Sequence, residues 1–174
     1  MENFYGRQMI ILKGRGNTLY EKSLGALGSC LRATKKISLG TILLTFDSTC
    51  TTKEQTYQTV QVGINKHILA DSFFSLLNHS CDPNLVIDTK KGAVYALRSI
   101  DSREELNFFY PSTEWDMSSP FICKCNKPKC ISYIGGAWWT PVNILSSHYL
   151  NNHIVYLIKE KIDNASKLDS FRSC

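Results

Sequence analysis

The sequence has no long apolar run. Stretches such as IVYLI (154–158) are among the longest, far short of the roughly 20 residues that cross a bilayer, so no membrane span is expected. It has no concentrated basic tract either. Lysine and arginine are scattered, and the net charge is a mild +5. That pattern describes an ordinary solvated surface, and direct nucleic-acid binding is not expected from it. The segment MENFYGRQMIILKGRGN lacks a continuous apolar centre and a small-residue cleavage site, so it does not read as a secretory signal. Low-complexity segments and internal repeats are also missing. With 43% hydrophobic and 20% charged residues over 174 positions, what remains is one globular unit with enough chain to bury a core.

Cysteine, by contrast, is plentiful. There are seven, an odd number. A secreted disulfide framework pairs its cysteines, whereas clustered cysteines in a reducing interior more often bind metal. An intracellular location is expected, and composition does not divide nucleus from cytosol. Oligomeric state is not legible.

Short β-rich runs occupy 8–13, 41–46, 59–64, 84–87, 93–98 and 105–110, each rich in branched or aromatic residues. Gly40, Pro83–Asn84, Lys91–Gly92 and Asp101–Ser102 punctuate them. Many short strands with irregular links predict a mainly β (α+β) fold. Residues 111–140 hold three prolines and all the tryptophans, a loop-rich stretch that something must organise. From Pro141 apolar residues recur at three- and four-residue steps, predicting a helix or a helix pair, with Asn151–Asn152 as the cap of the second. The polar end DNASKLDSFRSC is expected to fray.

The stretch CKCNKPKC sets Cys123, Cys125 and Cys130 at a spacing that wraps one tetrahedral ion, with Pro128 bending the chain between the last two. A closed zinc site needs a fourth ligand. Cys30 and Cys50 lie in apolar or β contexts and read as small core residues, and Cys174 is terminal. Cys81, in the polar turn LLNHSCDPN (76–84), remains as the best fourth ligand. A cysteine hydrolase using Cys81 and His79 is disfavoured, because residues so close in sequence rarely meet as nucleophile and base.

Three motifs follow one another in order: NHSCDPN (78–84), REELNFFY (103–110) and CKCNKPKC (123–130). Upstream, GSCLRATKKISLG (28–40) is similar to a G-x-G-x-x-A-x-x-x-I-x-x-G signature, with Ala33, Ile37 and Gly40 in place and Cys30 where the second glycine would stand. Together they resemble a SET-domain protein lysine methyltransferase with its post-SET cysteine segment, in a compact stand-alone form. The organisation that follows is a strand segment over 1–24, a SET domain over 25–117, a post-SET zinc segment over 118–136 and a helical extension over 137–174.

The resemblance implies a β-clip fold of several small sheets with a pseudoknot. It implies S-adenosylmethionine as methyl donor, held by Gly28, Cys30, Leu31, Asn78, His79 and Tyr110. It implies Tyr110 as the residue orienting a neutral target lysine, Phe108 as the neighbour that sets how many methyl groups fit, and zinc on Cys81, Cys123, Cys125 and Cys130. The implied partner is a lysine-bearing protein, with histone tails the commonest target. Acidic groups such as Asp88, Glu104, Glu105, Glu114 and Asp116 are expected to line a groove locally. Phenylalanine at 108 leaves room for di- or trimethyl-lysine. The alternative reading is a catalytically weak SET-fold binding module that keeps a structural zinc.

Overall fold

The computed structural model describes residues 18–26 and 28–172. The run at 8–13 lies outside the described residues. Strands β1 (Tyr20–Gly25) and β2 (Gly28–Ala33) form an antiparallel hairpin. Then come β3 (Ile42–Thr45), β4 (Thr59–Gly63), β5 (Lys66–Leu69), β6 (Asn78–His79), β7 (Leu85–Asp88), β8 (Ala93–Ala96) and β9 (Glu105–Phe108). A 3-10 turn covers Tyr110–Ser112 and is followed by β10 (Phe121–Ile122) and β11 (Tyr133–Ile134). Helices α1 (Val142–Leu145) and α2 (Asn152–Arg172) end the described chain. No described helix is long and apolar enough to cross a membrane.

The strands build four small sheets: β1-β2-β9-β6, β3-β8-β7, β4-β5 and β10-β11. The first one positions the site. Strand β9 is inserted between β2, to which it is antiparallel, and β6, to which it is parallel. This is the crossing on which the expected pseudoknot depends, and the mainly β fold of small sheets stands as read. Asn84 holds it. Fully buried, it accepts Asn107 N–H through Oδ1 at 2.9 Å and donates through Nδ2 to the Glu105 carbonyl at 2.8 Å. One amide thus satisfies a donor and an acceptor of β9 that the short strand leaves open, which buried backbone requires. Asn78 donates to the Glu105 carboxylate at 2.8 Å.

The main core gathers Leu31, Ile37, Leu85, Ile87, Val94, Ile100 and Leu106 from β2, β7, β8, β9 and the links between them. A smaller cluster joins Phe109 to Ala137, Leu145 and Ile154 and so docks both helices beside the 110–112 turn. Burying Leu145 and Ile154 contributes roughly 1.5–3 kcal/mol each.

Several expectations change. Two helices form as predicted, but the Asn151 side chain does not cap the second one. Its Oδ1 accepts from Thr89 N and Oγ1, at 2.9 and 3.0 Å. Its Nδ2 donates to the carbonyls of Ile87 and Ser112, both at 2.9 Å. The orphan β7 end and the 3-10 turn outbid the helix for this amide. Cys30 is buried as expected, but Cys50 is exposed. The tail is helical in its backbone to Arg172 rather than frayed.

Candidate active site and cysteine cluster

Tyr110 sits where β9 leaves its sheet. Its hydroxyl donates to the Leu77 carbonyl at 2.8 Å, one residue before β6, so the phenol is anchored to the loop that carries Asn78 and His79. Burial first, and the nearby Glu114 carboxylate second, push its pKa up to about 12. The hydroxyl therefore stays protonated at neutral pH and acts as a hydrogen-bonding group, never a phenolate. Phe108 packs on Tyr110 with ring centroids 4.8 Å apart, and Phe121 meets it edge-on at 6.0 Å.

Two cavities converge on this tyrosine. One, of about 250 Å³, is lined by Val60, Phe74, Phe108, Glu114 and neighbours. The other, of about 360 Å³, is lined by Asn78, His79, Ile122 and the 123–125 segment. Tyr110 and Phe121 line both, and no other described residue does. Tyr110 and Phe121 therefore stand between the two cavities, and a group in either one can lie against the tyrosine.

His79 links the second cavity to the cysteines. Its Nδ1 accepts the Tyr110 backbone N–H at 3.2 Å, which leaves the ring proton on Nε2, 3.2 Å from Cys81 Sγ. Burial, then the nearby His148, hold His79 far below the usual imidazole range, at about 3, so it is neutral. The sequence reading took His79 and Cys81 to be too close along the chain to meet. They do meet, but Cys81 faces other sulfurs. The four sulfurs of Cys81, Cys123, Cys125 and Cys130 all lie within 4.8 Å of one another, with Cys81 and Cys123 at 3.9 Å. Thiolates about 2.3 Å from one zinc would stand roughly 3.8 Å apart, so the set fits a tetrahedral ion. Burial raises the Cys81 and Cys123 thiols, so ionising them calls for a cation at the cluster. Lys127 does not face the sulfurs in isolation, for its ammonium pairs with Asp82 at 3.6 Å and ties the cysteine loop to the Cys81 turn.

The SET domain family model matches residues 28–111, from the first glycine of β2 to the turn holding Tyr110. Residues 28–111 are a SET domain. It is 39% identical over 110 residues to "Methyltransferase flvH" of Aspergillus flavus, covering 62% of each protein. It is 35% identical over 66 residues to "Histone-lysine N-methyltransferase ash1" of Drosophila melanogaster, which spans 34% of this chain and 3% of that protein. The chain thus covers less than two thirds of the curated relatives it matches. The crystal structure of KRYPTONITE in complex with mCHG DNA and SAH superposes with a TM-score of 0.53 at 19% identity, covering 66% of this chain and 28% of that one. That likeness is one of fold.

The SET domain brings Asn78, His79 and Tyr110 to one cavity, with Phe108 beside it. Gly28, Cys30 and Leu31 do not line that cavity. Asn78 Nδ2 nevertheless lies 3.5 Å from the Ser29 carbonyl, so the start of β2 adjoins it. Gly28 has φ +108°, a conformation glycine tolerates and other residues resist. Cys30 Sγ turns away toward Gly25 and the Glu105 carboxylate, buried, with its thiol raised by burial and by that charge. The acidic groups do not share one groove. Asp88 is buried against Lys91, and Glu104 pairs with Arg98. Glu105 pairs with Arg32, and Glu114 is buried.

Phe121 was not singled out from sequence, and Glu114 entered only as one of five acids expected to line a groove. Phe121 stands two positions before the first clustered cysteine, and that aromatic offset was the available signal. Glu114 offered none beyond being an acid four residues after Tyr110.

Proposed function

We propose that this chain is an S-adenosylmethionine-dependent protein-lysine N-methyltransferase with a structural zinc on Cys81, Cys123, Cys125 and Cys130. The observation that carries this reading is that Tyr110 lines both cavities. The donor occupies the cavity of Asn78 and His79, and the target side chain enters that of Phe108. SAH, bound in the structurally similar KRYPTONITE complex, is what the donor becomes after losing its methyl group. The cofactor supplies the activated methyl group; the protein supplies position and electrostatics.

Asn78 and His79 hold the donor through side-chain and main-chain hydrogen bonds. The Tyr110 hydroxyl, protonated and fixed on the Leu77 carbonyl, offers its oxygen lone pairs to the amine and fixes the direction of the nitrogen lone pair. The apolar walls, Phe108 and Phe121 among them, exclude water and favour the neutral amine, whose unperturbed pKa is about 10.4. Histone tails are the first substrates to try, because the Drosophila relative is named a histone-lysine enzyme.

Calorimetric titration with S-adenosylmethionine, followed by transfer of labelled methyl to histones and to total cell protein, tests the reading. Saturable donor binding and a labelled protein band are expected. No donor binding at millimolar concentration would leave a SET-fold binding module instead.

A further inference from the structure

Glu114 is the acid that the methyl-transfer reading leaves without a role. Its backbone N–H returns to the Tyr110 carbonyl at 3.0 Å, so it lies one turn after the tyrosine. Only 9% of the residue is exposed. Its Oε1 accepts the Gln61 backbone N–H at 2.9 Å and the Thr113 hydroxyl at 3.3 Å. Oε2 accepts no hydrogen bond among the described residues. The main chain is clamped too, for the Glu114 carbonyl accepts Ala137 N–H at 2.8 Å. Gly136 permits that approach: at φ +101°, a Cβ there would stand 2.6 Å from the Trp115 carbonyl oxygen.

The carboxyl lines the same cavity as Val60, Phe74, Phe108 and Tyr110. No described lysine, arginine or histidine forms an ion pair with it. A carboxylate buried on apolar walls without a cation is costly, and proteins keep such groups when something else supplies the charge. Protonation relieves that cost, and so would a cation entering through the cavity that the residue lines.

We infer that Glu114 receives the positively charged nitrogen of the substrate, so that the cavity selects a protonated alkylamine over a neutral side chain of the same shape. This rests on the methyl-transfer reading for its purpose, though its readout does not. Oε1 holds the carboxyl in place and Oε2 takes the ammonium. Within the complex the ammonium passes one proton to Oε2, leaving a carboxylic acid at Glu114 and the neutral, aligned amine that transfer at Tyr110 requires. Burial holds the carboxyl at about 7, so it is largely ionised at pH 8. The titratable groups nearest it are Tyr110 on its own segment, His153 from α2, which contacts the Thr113 carbonyl, and His67, opposite Gln61 in the β4–β5 pair. Burial keeps both imidazoles below their ordinary range.

The test titrates the full chain at pH 8 with N-acetyl-lysine methylamide and with N-acetyl-2-aminoheptanoic acid methylamide, whose side chain has the same length with a methyl in place of the ammonium. The wild type should prefer the lysine probe by about tenfold or more, as a charge-assisted hydrogen bond would give. Glu114→Gln keeps an acceptor for Gln61 and removes the charge; it should bring the two probes within about twofold. On the wild type alone, lowering the pH from 8 to 6 protonates the carboxyl while lysine stays charged, and the preference should collapse. Equal binding of both probes by the wild type, a preference retained in folded Glu114→Gln, or one unchanged between pH 8 and 6 would each overturn the inference. Donor titration runs alongside it. A chain that transfers methyl without charge preference refutes Glu114 and keeps the enzyme reading, whereas charge preference without donor binding does the reverse.

Discussion

Nε2 of His79 stands 3.2 Å from the sulfur of Cys81, while Nδ1 of the same ring accepts the backbone N–H of Tyr110. One neutral imidazole thus spans from the cysteine cluster to the tyrosine turn. Metal loss should therefore be felt in the donor cavity. We expect about one zinc per chain by elemental analysis, and most of it lost in Cys81→Ser, since binding and ordering of the segment are coupled. Chelation should lower donor affinity at least tenfold in calorimetry. Unchanged zinc in Cys81→Ser would move the fourth ligand elsewhere.

Tyr110→Phe removes the hydroxyl and keeps the ring that packs on Phe108. Labelled methyl transfer should fall by about 100-fold or more, the usual effect of deleting one aligned polar group at a reacting centre. Donor binding should change by no more than a few fold. The lost bond to the Leu77 carbonyl should cost about 1 kcal/mol of stability.

Phe108 sets the space beside that hydroxyl. The wild type should carry a lysine peptide to di- or trimethyl-lysine, and Phe108→Tyr should stop it at monomethyl. Mass spectrometry of the product decides. Monomethyl product alone from the wild type would contradict this account of position 108.

Glu114 gives a pH signature in stability. Its carboxyl lies near 7 in the folded chain against a reference of 4.5, so the folded state binds the proton more tightly. That contribution is full below about 4.5 and is lost as pH rises through 7. It amounts to on the order of 2–3 kcal/mol. Thermal melts of Glu114→Gln and wild type should converge near pH 5, and the variant should melt higher at pH 8. A constant difference across that range would show that burial does not raise this carboxyl.

Asn84→Ala should destabilise by roughly 1–3 kcal/mol, because it leaves the Asn107 N–H without its acceptor and takes from the Glu105 carbonyl one of its two side-chain donors, the Asn107 amide remaining. Chemical denaturation measures it.

The sequence was informative where chemistry is local. The cysteine spacing and the NHSC turn are short, and the strands at β3, β4, β7, β8 and β9 carry branched residues between turn formers. It was less informative about β1, whose YEKSLG is polar and exposed and reads as loop. It was silent where a side chain serves a distant backbone. Asn84 looks like a turn residue, yet its partners lie 21 and 23 residues away. Glu114 looks like a surface acid until β4 and the Gly136 approach are built around it. Cys50 sits in a run that reads as β, and the chain leaves β3 before reaching it.

The Asn151 amide bears on when this protein can work. It reaches the Ser112 carbonyl in the tyrosine turn and the end of β7 at once, from a position far along the chain. During synthesis the sheets can be complete while the turn still lacks that tie. A chain ending before residue 151 is therefore expected to keep the pairings of its sheets while losing the tie between the tyrosine turn and β7.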